Sequence, residues 1–253
     1  MRTVVVTGAE SGIGAACAAA FGANGDRVVV GYFSDASEAD RSVAAVKQAG
    51  GQAIAMQCNV ADEASVEGLF HRVADEWGAP DVLVNSAGVN MTGVQVRDME
   101  LAEWRRLIDT DLTGSFLTSR YFLKAHAGAT GPGAIVHISS IHAFAVRDGG
   151  ADYCAAKGGL TNLVRTLAIE EAARDVTVNA IEPGMILTPM NARAITDEAY
   201  RHKTEANIPV KRAGTPEEVA DLAVFLASDR ARYITGASVV IDGGLSLLQG
   251  LGA

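Results

Sequence analysis

The sequence predicts an α/β fold, in which a doubly wound parallel sheet of about seven strands is covered by helices on both faces. Three observations predict it. Short apolar runs alternate with helical stretches along the whole chain. The runs are apolar on both faces, as strands lying between two helix layers must be. Finally, 253 residues, 49% of them hydrophobic and free of repeats, linkers or low-complexity tracts, suffice for one large core.

The runs place strands at 3–7, 27–32, 53–58, 82–85, 134–139, 176–181 and 238–241, with helices near 12–25, 36–50, 62–77, 98–127, 151–174 and 215–228. The third helix is opened by Asp62, with Ser65 and Glu67 in its first turns. Thr215-Pro216-Glu217-Glu218 opens the last: an N-cap, a proline at the first position, and two acids on the positive end of the helix dipole. Segment 185–212 breaks the rhythm. Its helical piece at 197–207 lies past the carboxyl end of the sixth strand, where open sheets bind ligands, and it reads as a substrate-covering lid.

Bulk properties exclude several roles. A net charge of −9 argues against nucleic acid or an anionic membrane as partner. No apolar run approaches the roughly 18 residues of a membrane span. With the first strand starting at residue 3 there is no room for a signal peptide. Cys17, Cys58 and Cys154 lack metal or disulfide spacing and read as small buried side chains in a reducing cytoplasm. His71, His126 and His202 show no ligand spacing, so no catalytic metal is expected.

Two motifs carry the chemistry. Thr7-Gly8-Ala9-Glu10-Ser11-Gly12-Ile13-Gly14 joins the first strand directly to an Ala-rich helix. Glycines allow close backbone approach, and the helix N-terminus offers unpaired N–H groups and a positive dipole end to a diphosphate. The chain 1–253 therefore reads as one dinucleotide-binding catalytic domain. The second motif is Ser140 followed by Tyr153 and Lys157, the last two sharing a helix face. A free phenol loses its proton near pH ~10, so base chemistry near neutrality needs ~4 kcal/mol. One cation at ~4 Å in a partly shielded site supplies about that much.

These motifs, with Asn59-Val60, Asn85-Ser86-Ala87-Gly88, Pro183-Gly184, Thr188 and Asp242-Gly243-Gly244 in order, make the chain resemble the short-chain dehydrogenase/reductase family over essentially its whole length. Several segments resemble its glucose 1-dehydrogenase group: Ile108-Asp109-Thr110 before Asp111-Leu112-Thr113-Gly114, Ser140-Ile141-His142, and Thr188-Pro189-Met190-Asn191-Ala192. The resemblance implies a Rossmann-type fold, a nicotinamide cofactor, and hydride transfer at a carbon bearing oxygen. It implies catalytic roles for Ser140, Tyr153, Lys157 and Asp111. The implied cofactor contacts are Gly8, Ser11, Gly12, Ile13 and Gly14; Tyr32, Phe33 and Ser34; Asn59 and Val60; and Asn85, Ala87 and Gly88. Tyr153 and Lys157 join them, with Pro183, Gly184, Ile186 and Thr188. Ser140, His142, Met190 and Asn191 are the candidate substrate contacts.

Three positions depart from the family pattern. Asp111 stands where Asn is usual and helps hold a proton-relay water. A carboxylate there either cancels much of the Lys157 charge or, the favoured reading, faces helix dipoles or water while the backbone carbonyl serves the relay. On that reading Asp111→Asn keeps or raises activity. Asn59 replaces the usual Asp against the adenine amine but still offers a carbonyl. Ser86 replaces an Asn with little expected consequence. Cofactor choice between NAD and NADP is weakly written. No acid ends the second strand at Tyr32, yet Asp35, Glu38 and Asp40 follow and no cation awaits a 2′-phosphate, which gives a slight lean to NAD.

The substrate implied is a sugar-like small molecule, most simply an aldose. The family association is a homotetramer, built on the faces of 98–127 and 151–174, with the tail 245–253 crossing to a second subunit. Two other functions stay open. Reduction of 3-oxoacyl groups on acyl carrier protein, or of ketones broadly, fits the same catalytic residues. The acidic carrier requires a basic docking patch that Gly131-Pro132-Gly133-Ala134 lacks, although Arg174 remains. A non-catalytic dinucleotide sensor would take Asp111 as a sign of lost activity, against the intact Ser140, Tyr153 and Lys157.

Overall fold

The computed structural model describes residues 1–248. The outer part of the tail expected to reach a second subunit, 249–253, lies outside the described residues. In chain order the elements are β1 (Thr3–Thr7), α1 (Gly12–Ala23), β2 (Arg27–Tyr32), α2 (Ala36–Gln48), β3 (Gln52–Gln57), α3 (Glu63–Trp77), β4 (Val82–Asn85), α4 (Leu101–Ile108) and α5 (Gly114–His126). They continue with β5 (Gly133–Ile138), α6 (Ala151–Glu171), β6 (Val176–Pro183), α7 (Ala192–Thr196), α8 (Glu198–Glu205), α9 (Pro216–Leu226) and β7 (Ser238–Ile241).

The strands form one parallel sheet in the order β3-β2-β1-β4-β5-β6-β7. Alternate residues of β1 divide between two cores. Val4 and Val6 pack with Phe21 of α1 and Leu226 of α9, whereas Val5 packs with Leu69 of α3, Phe122 of α5 and Val164 of α6. Each such fully buried side chain contributes roughly 1.5–3 kcal/mol, and the period of two explains strands apolar on both faces.

The helix starts follow their caps. Asp35 Oδ1 accepts the Glu38 N–H (3.0 Å) and Asp62 Oδ2 the Ser65 N–H (3.1 Å). Thr215 and Glu218 form a reciprocal capping box around Pro216.

The structure differs from expectation in three places. β3 and β5 begin one residue early, and β6 runs on to Pro183 because Glu182 and Pro183 pair with Val240 and Ile241. The continuous helix expected over 98–127 is divided by a π-turn, Asp109–Thr113, between α4 and α5. The piece expected at 197–207 is α8, capped where the Asp197 side chain accepts the Tyr200 N–H (2.9 Å), and a short helix that was not expected, α7, precedes it. Among the described residues no helix is long and apolar enough to cross a membrane.

β1 and β4 are neighbours whose connections leave in opposite directions, which is the switch point of this strand order. There the backbones close up. A Cβ on Gly8, at φ +62°, would stand 2.7 Å from Ala87 Cα, so only glycine fits. Thr7 Oγ1 accepts the N–H groups of Ser86 (3.1 Å) and Ala87 (3.2 Å) and fixes the two strand ends together.

Candidate active site

A cavity of about 1180 Å³ opens over the carboxyl ends of the strands at this switch point. Its first wall is the glycine loop: Gly8, Ser11, Gly12 and Ile13 all line it. Ser11 occupies the N-cap of α1 without a side-chain cap bond, so its hydroxyl leaves the first N–H groups of the helix unclaimed. Gly12 takes φ +55°. This cradle fits the diphosphate of a dinucleotide. Phe33, Asn59, Val60, Ala87 and Gly88 continue the wall, and Pro183, Gly184, Ile186 and Thr188 form the far side.

Four expected cofactor contacts do not line the cavity. Gly14 is spent on packing, since a Cβ there would collide with the Gly8 carbonyl. Tyr32 packs against the core beneath the strand ends, and Ser34 is exposed beyond β2. Asn85 is buried, donating to Ser119 Oγ (3.4 Å) and accepting from the Thr118 hydroxyl (2.6 Å).

The catalytic candidates converge. Ser140 follows β5, while Tyr153 and Lys157 lie one turn apart on α6, and all three are buried at the cavity floor. Lys157 Nζ lies 5.3 Å from the centre of the Tyr153 ring and donates to the Ile138 carbonyl (3.3 Å). Ser140 Oγ accepts the His142 N–H (3.1 Å), which leaves the hydroxyl proton available to a ligand. The His142 ring meets Tyr153 edge-on at 6.1 Å, and its Nδ1 stands 2.6 Å from the Ala145 carbonyl. Only a protonated Nδ1 can donate to that carbonyl, so Nε2 is the acceptor.

Asp111 corrects the expectation made for it. Its side chain does not face helix dipoles or water. The π-turn carries it inward, where Oδ2 lies 3.1 Å from Lys157 Nζ and Oδ1 accepts the Val89 N–H (2.8 Å). Both partners are buried, and no donor is in hydrogen-bonding line with Oδ2 among the described residues. Burial alone would pull the Lys157 pKa down. The Asp111 carboxylate, its direct contact and Tyr153 outweigh burial and hold it above the ordinary lysine value. Lys157 is therefore a cation whose charge is shared between Asp111 and Tyr153.

Other candidates have different employment. The Asn191 amide donates to the Ile186 carbonyl (2.7 Å) and holds the 185–212 segment, although Asn191 and Met190 both line the cavity. Asn59 Oδ1 accepts the Ala61 N–H (3.1 Å), leaving one lone pair for a ligand. Cys17 and Cys58 are buried, but Cys154 is only half-buried, because it follows Tyr153 on a flank of α6 turned away from the core. Among the described residues no group of His, Cys, Asp or Glu is placed to hold a metal. The sequence reading passed over Glu10, which lies inside the glycine motif at a position the motif leaves unspecified, and Arg147, which no motif marks; both stand at the cavity wall.

His137 supports the floor from β5. It is fully buried, with Nδ1 3.3 Å from Asn85 Nδ2 and Nε2 3.4 Å from Ser119 Oγ. Burial, with the Lys157 charge adding to it, lowers its pKa from 6.5 to about 3. Between those values the unfolded chain takes a proton that the folded chain refuses, so stability is full above the upper value and falls with pH. The loss reaches roughly 5 kcal/mol at the lower end. In thermal melts His137→Asn should lose Tm less steeply than the native chain between pH ~6.5 and ~4; parallel slopes would acquit His137.

A doubly wound sheet with this cradle and this serine, tyrosine and lysine beside it defines a nicotinamide-dependent oxidoreductase. Residues 8–246 match the family model described as enoyl-(acyl carrier protein) reductase. The chain is 42% identical over 249 residues to 3beta-hydroxysteroid dehydrogenase 1 of Eggerthella lenta, covering 98% of this chain and 95% of that protein. It is 38% identical over 246 residues to glucose 1-dehydrogenase 2 of Bacillus subtilis, with 97% and 95% covered. The structure of an actinorhodin polyketide ketoreductase variant with NADPH matches with a TM-score of 0.91 at 30% identity, over 97% of each chain. The chain belongs to the short-chain dehydrogenase/reductase family, as an NAD(P)-dependent dehydrogenase acting on CH–OH or ketone groups.

Proposed function

We propose that the chain oxidises the hydroxyl-bearing carbon of an aldose or related ring sugar, with NAD bound more tightly than NADP. The observation that carries this reading is the convergence of Ser140, His142 and Tyr153 at one end of the cavity, with Lys157 behind them. When bound, the nicotinamide takes up or returns the hydride. The glycine loop would hold the diphosphate, Asn59 the adenine, and Lys157 the nicotinamide ribose.

Tyr153 Oη accepts the substrate hydroxyl proton in oxidation and returns it in reduction. The Lys157 cation favours the deprotonated phenol. Ser140 donates its hydroxyl proton to the same substrate oxygen and steadies charge developing there. His142 Nε2 accepts from a neighbouring sugar hydroxyl, which is the feature that favours a polyhydroxylated substrate. The groups that would meet a 2′-phosphate are engaged elsewhere: Ser37 donates to Asp35 (2.8 Å), and Arg41 pairs with Glu38. The 185–212 segment serves as the lid. Phe116 on α5 and Ile169 on α6, 45% and 82% exposed, form part of the faces buried in a homotetramer.

An absorbance screen at 340 nm tests the reading. Aldoses, sugar acids and ring alcohols are offered with NAD or NADP, and 3-oxoacyl thioesters and cyclic ketones with the reduced forms. Sugar-dependent reduction, faster with NAD, is expected. Turnover only of ketones or thioesters would move the assignment to ketoreductase, a reading favoured by the apolar wall of Val89, Met91 and Met185.

A further inference from the structure

We propose that Glu10, in the glycine loop, reads the adenosine ribose and selects NAD against NADP, taking the part of the acid that β2 lacks at its end. The inference rests on the dinucleotide reading of the cavity and names the residue behind its cofactor preference.

In a doubly wound fold an acid near the end of the second strand accepts hydrogen bonds from the ribose hydroxyls. Here β2 ends at Tyr32, followed by Phe33 and Ser34. Asp35, the first acid beyond, does not line the cavity. It is exposed and committed to capping α2 through Glu38 N–H (3.0 Å) and the Ser37 hydroxyl (2.8 Å).

The glycine loop fills the gap from the other side. It is tied to β2 by a bond from Ala9 N–H to the Gly31 carbonyl (2.9 Å). Glu10 Oε1 accepts the Phe33 N–H (3.1 Å), so the carboxylate sits against the carboxyl end of β2, 23 residues away in sequence. Glu10 lines the cavity between Gly8 and Ser11. Its second oxygen, Oε2, is shielded from solvent yet has no hydrogen-bond donor, and Glu10 forms no ion pair among the described residues.

A carboxylate oxygen without a donor is costly to leave so. Rotation about the soft terminal torsion turns it to the cavity, where the two hydroxyls of an unphosphorylated ribose supply the missing donors. A 2′-phosphate offers no such donor and brings about two negative charges against the carboxylate.

Calorimetric titration of the full chain with NAD and with NADP, without substrate, tests this. The native chain should bind NAD at least tenfold more tightly. Glu10→Gln keeps an acceptor for Phe33 N–H and removes the charge; it should shrink the ratio at least tenfold, chiefly through tighter NADP binding. Glu10→Ala, which also removes the charge, must move the ratio the same way, and Asp35→Asn must leave it unchanged. A ratio unmoved in both Glu10 variants, with Tm retained, overturns the proposal, as would a ratio set by Asp35. If neither dinucleotide binds the native chain, the cavity reading itself falls.

Discussion

Tyr153→Phe should lower turnover about 100- to 10,000-fold while leaving dinucleotide affinity and Tm unchanged. The ring packs in a small apolar cluster with Leu107 and Ala156, and phenylalanine fills the same volume. What disappears is the one oxygen able to take the substrate proton beside a buried cation. Ser140 cannot replace it, because a hydroxyl without a base or cation of its own remains protonated and can only donate. Steady-state kinetics with calorimetric binding of the cofactor separate the two effects. Turnover above a tenth of native would mean that another group carries the proton. Loss of cofactor binding would mean that the hydroxyl has a structural duty.

The second large effect belongs to Asp111→Asn. Asn keeps the Val89 N–H bond of Asp111 Oδ1 but removes the negative charge 3.1 Å from Lys157 Nζ. The full lysine charge then acts on Tyr153, and a carboxylate that opposed the phenolate is gone. Turnover should therefore be kept or raised, as steady-state kinetics would show. The alkaline limb of the kcat/KM–pH profile should move to lower pH, since burial then pulls on Lys157 with less to oppose it.

Stability should fall at neutral pH by roughly 1–3 kcal/mol, because a buried cation loses its partner. The native pair holds the lysine above its ordinary value, so its contribution is fully present below the ordinary pH ~10.5 of lysine and is lost only as pH rises through the folded value. The Tm gap between variant and native chain should therefore be steady near neutrality and close in strong alkali. The expectation that Asp111→Asn keeps or raises activity now rests on a different ground: the carboxylate acts on Lys157 directly. An unchanged pH profile would show that Asp111 does not tune the pair.

The sheet and the glycine cradle were legible because they rest on local signals. β1, β2, β4 and β7 match the runs read from sequence residue for residue, since the inner strands lie between helix layers and are mostly apolar, and β7, only partly covered at the sheet edge, still reads Ser238-Val239-Val240-Ile241. Ser140, Tyr153 and Lys157 were legible from type and spacing. What stayed hidden depends on where a side chain points across the fold. Nothing in the apolar pattern of 98–127 marks a π-turn, because helical periodicity continues on both sides of it. The direction of Asp111 follows from that turn. Glu10 meets Phe33 only after two strands pair. Asn191, read as a substrate contact, lines the cavity, but its amide is donated to Ile186, five residues back, which no local pattern announces.

The π-turn between α4 and α5 makes the length of this stretch as binding a constraint as its composition. A regular helix advances ~100° per residue, so removing any single residue from 109–113 would restore uninterrupted winding and rotate one flank against the other by that angle. Leu107 on one side and Ser115 on the other are both buried and could not keep their places together. Insertions and deletions here would thus be filtered out even where every chemically active side chain is retained. In this segment the arithmetic of the chain, one residue more than an even coil needs, is itself part of the active site.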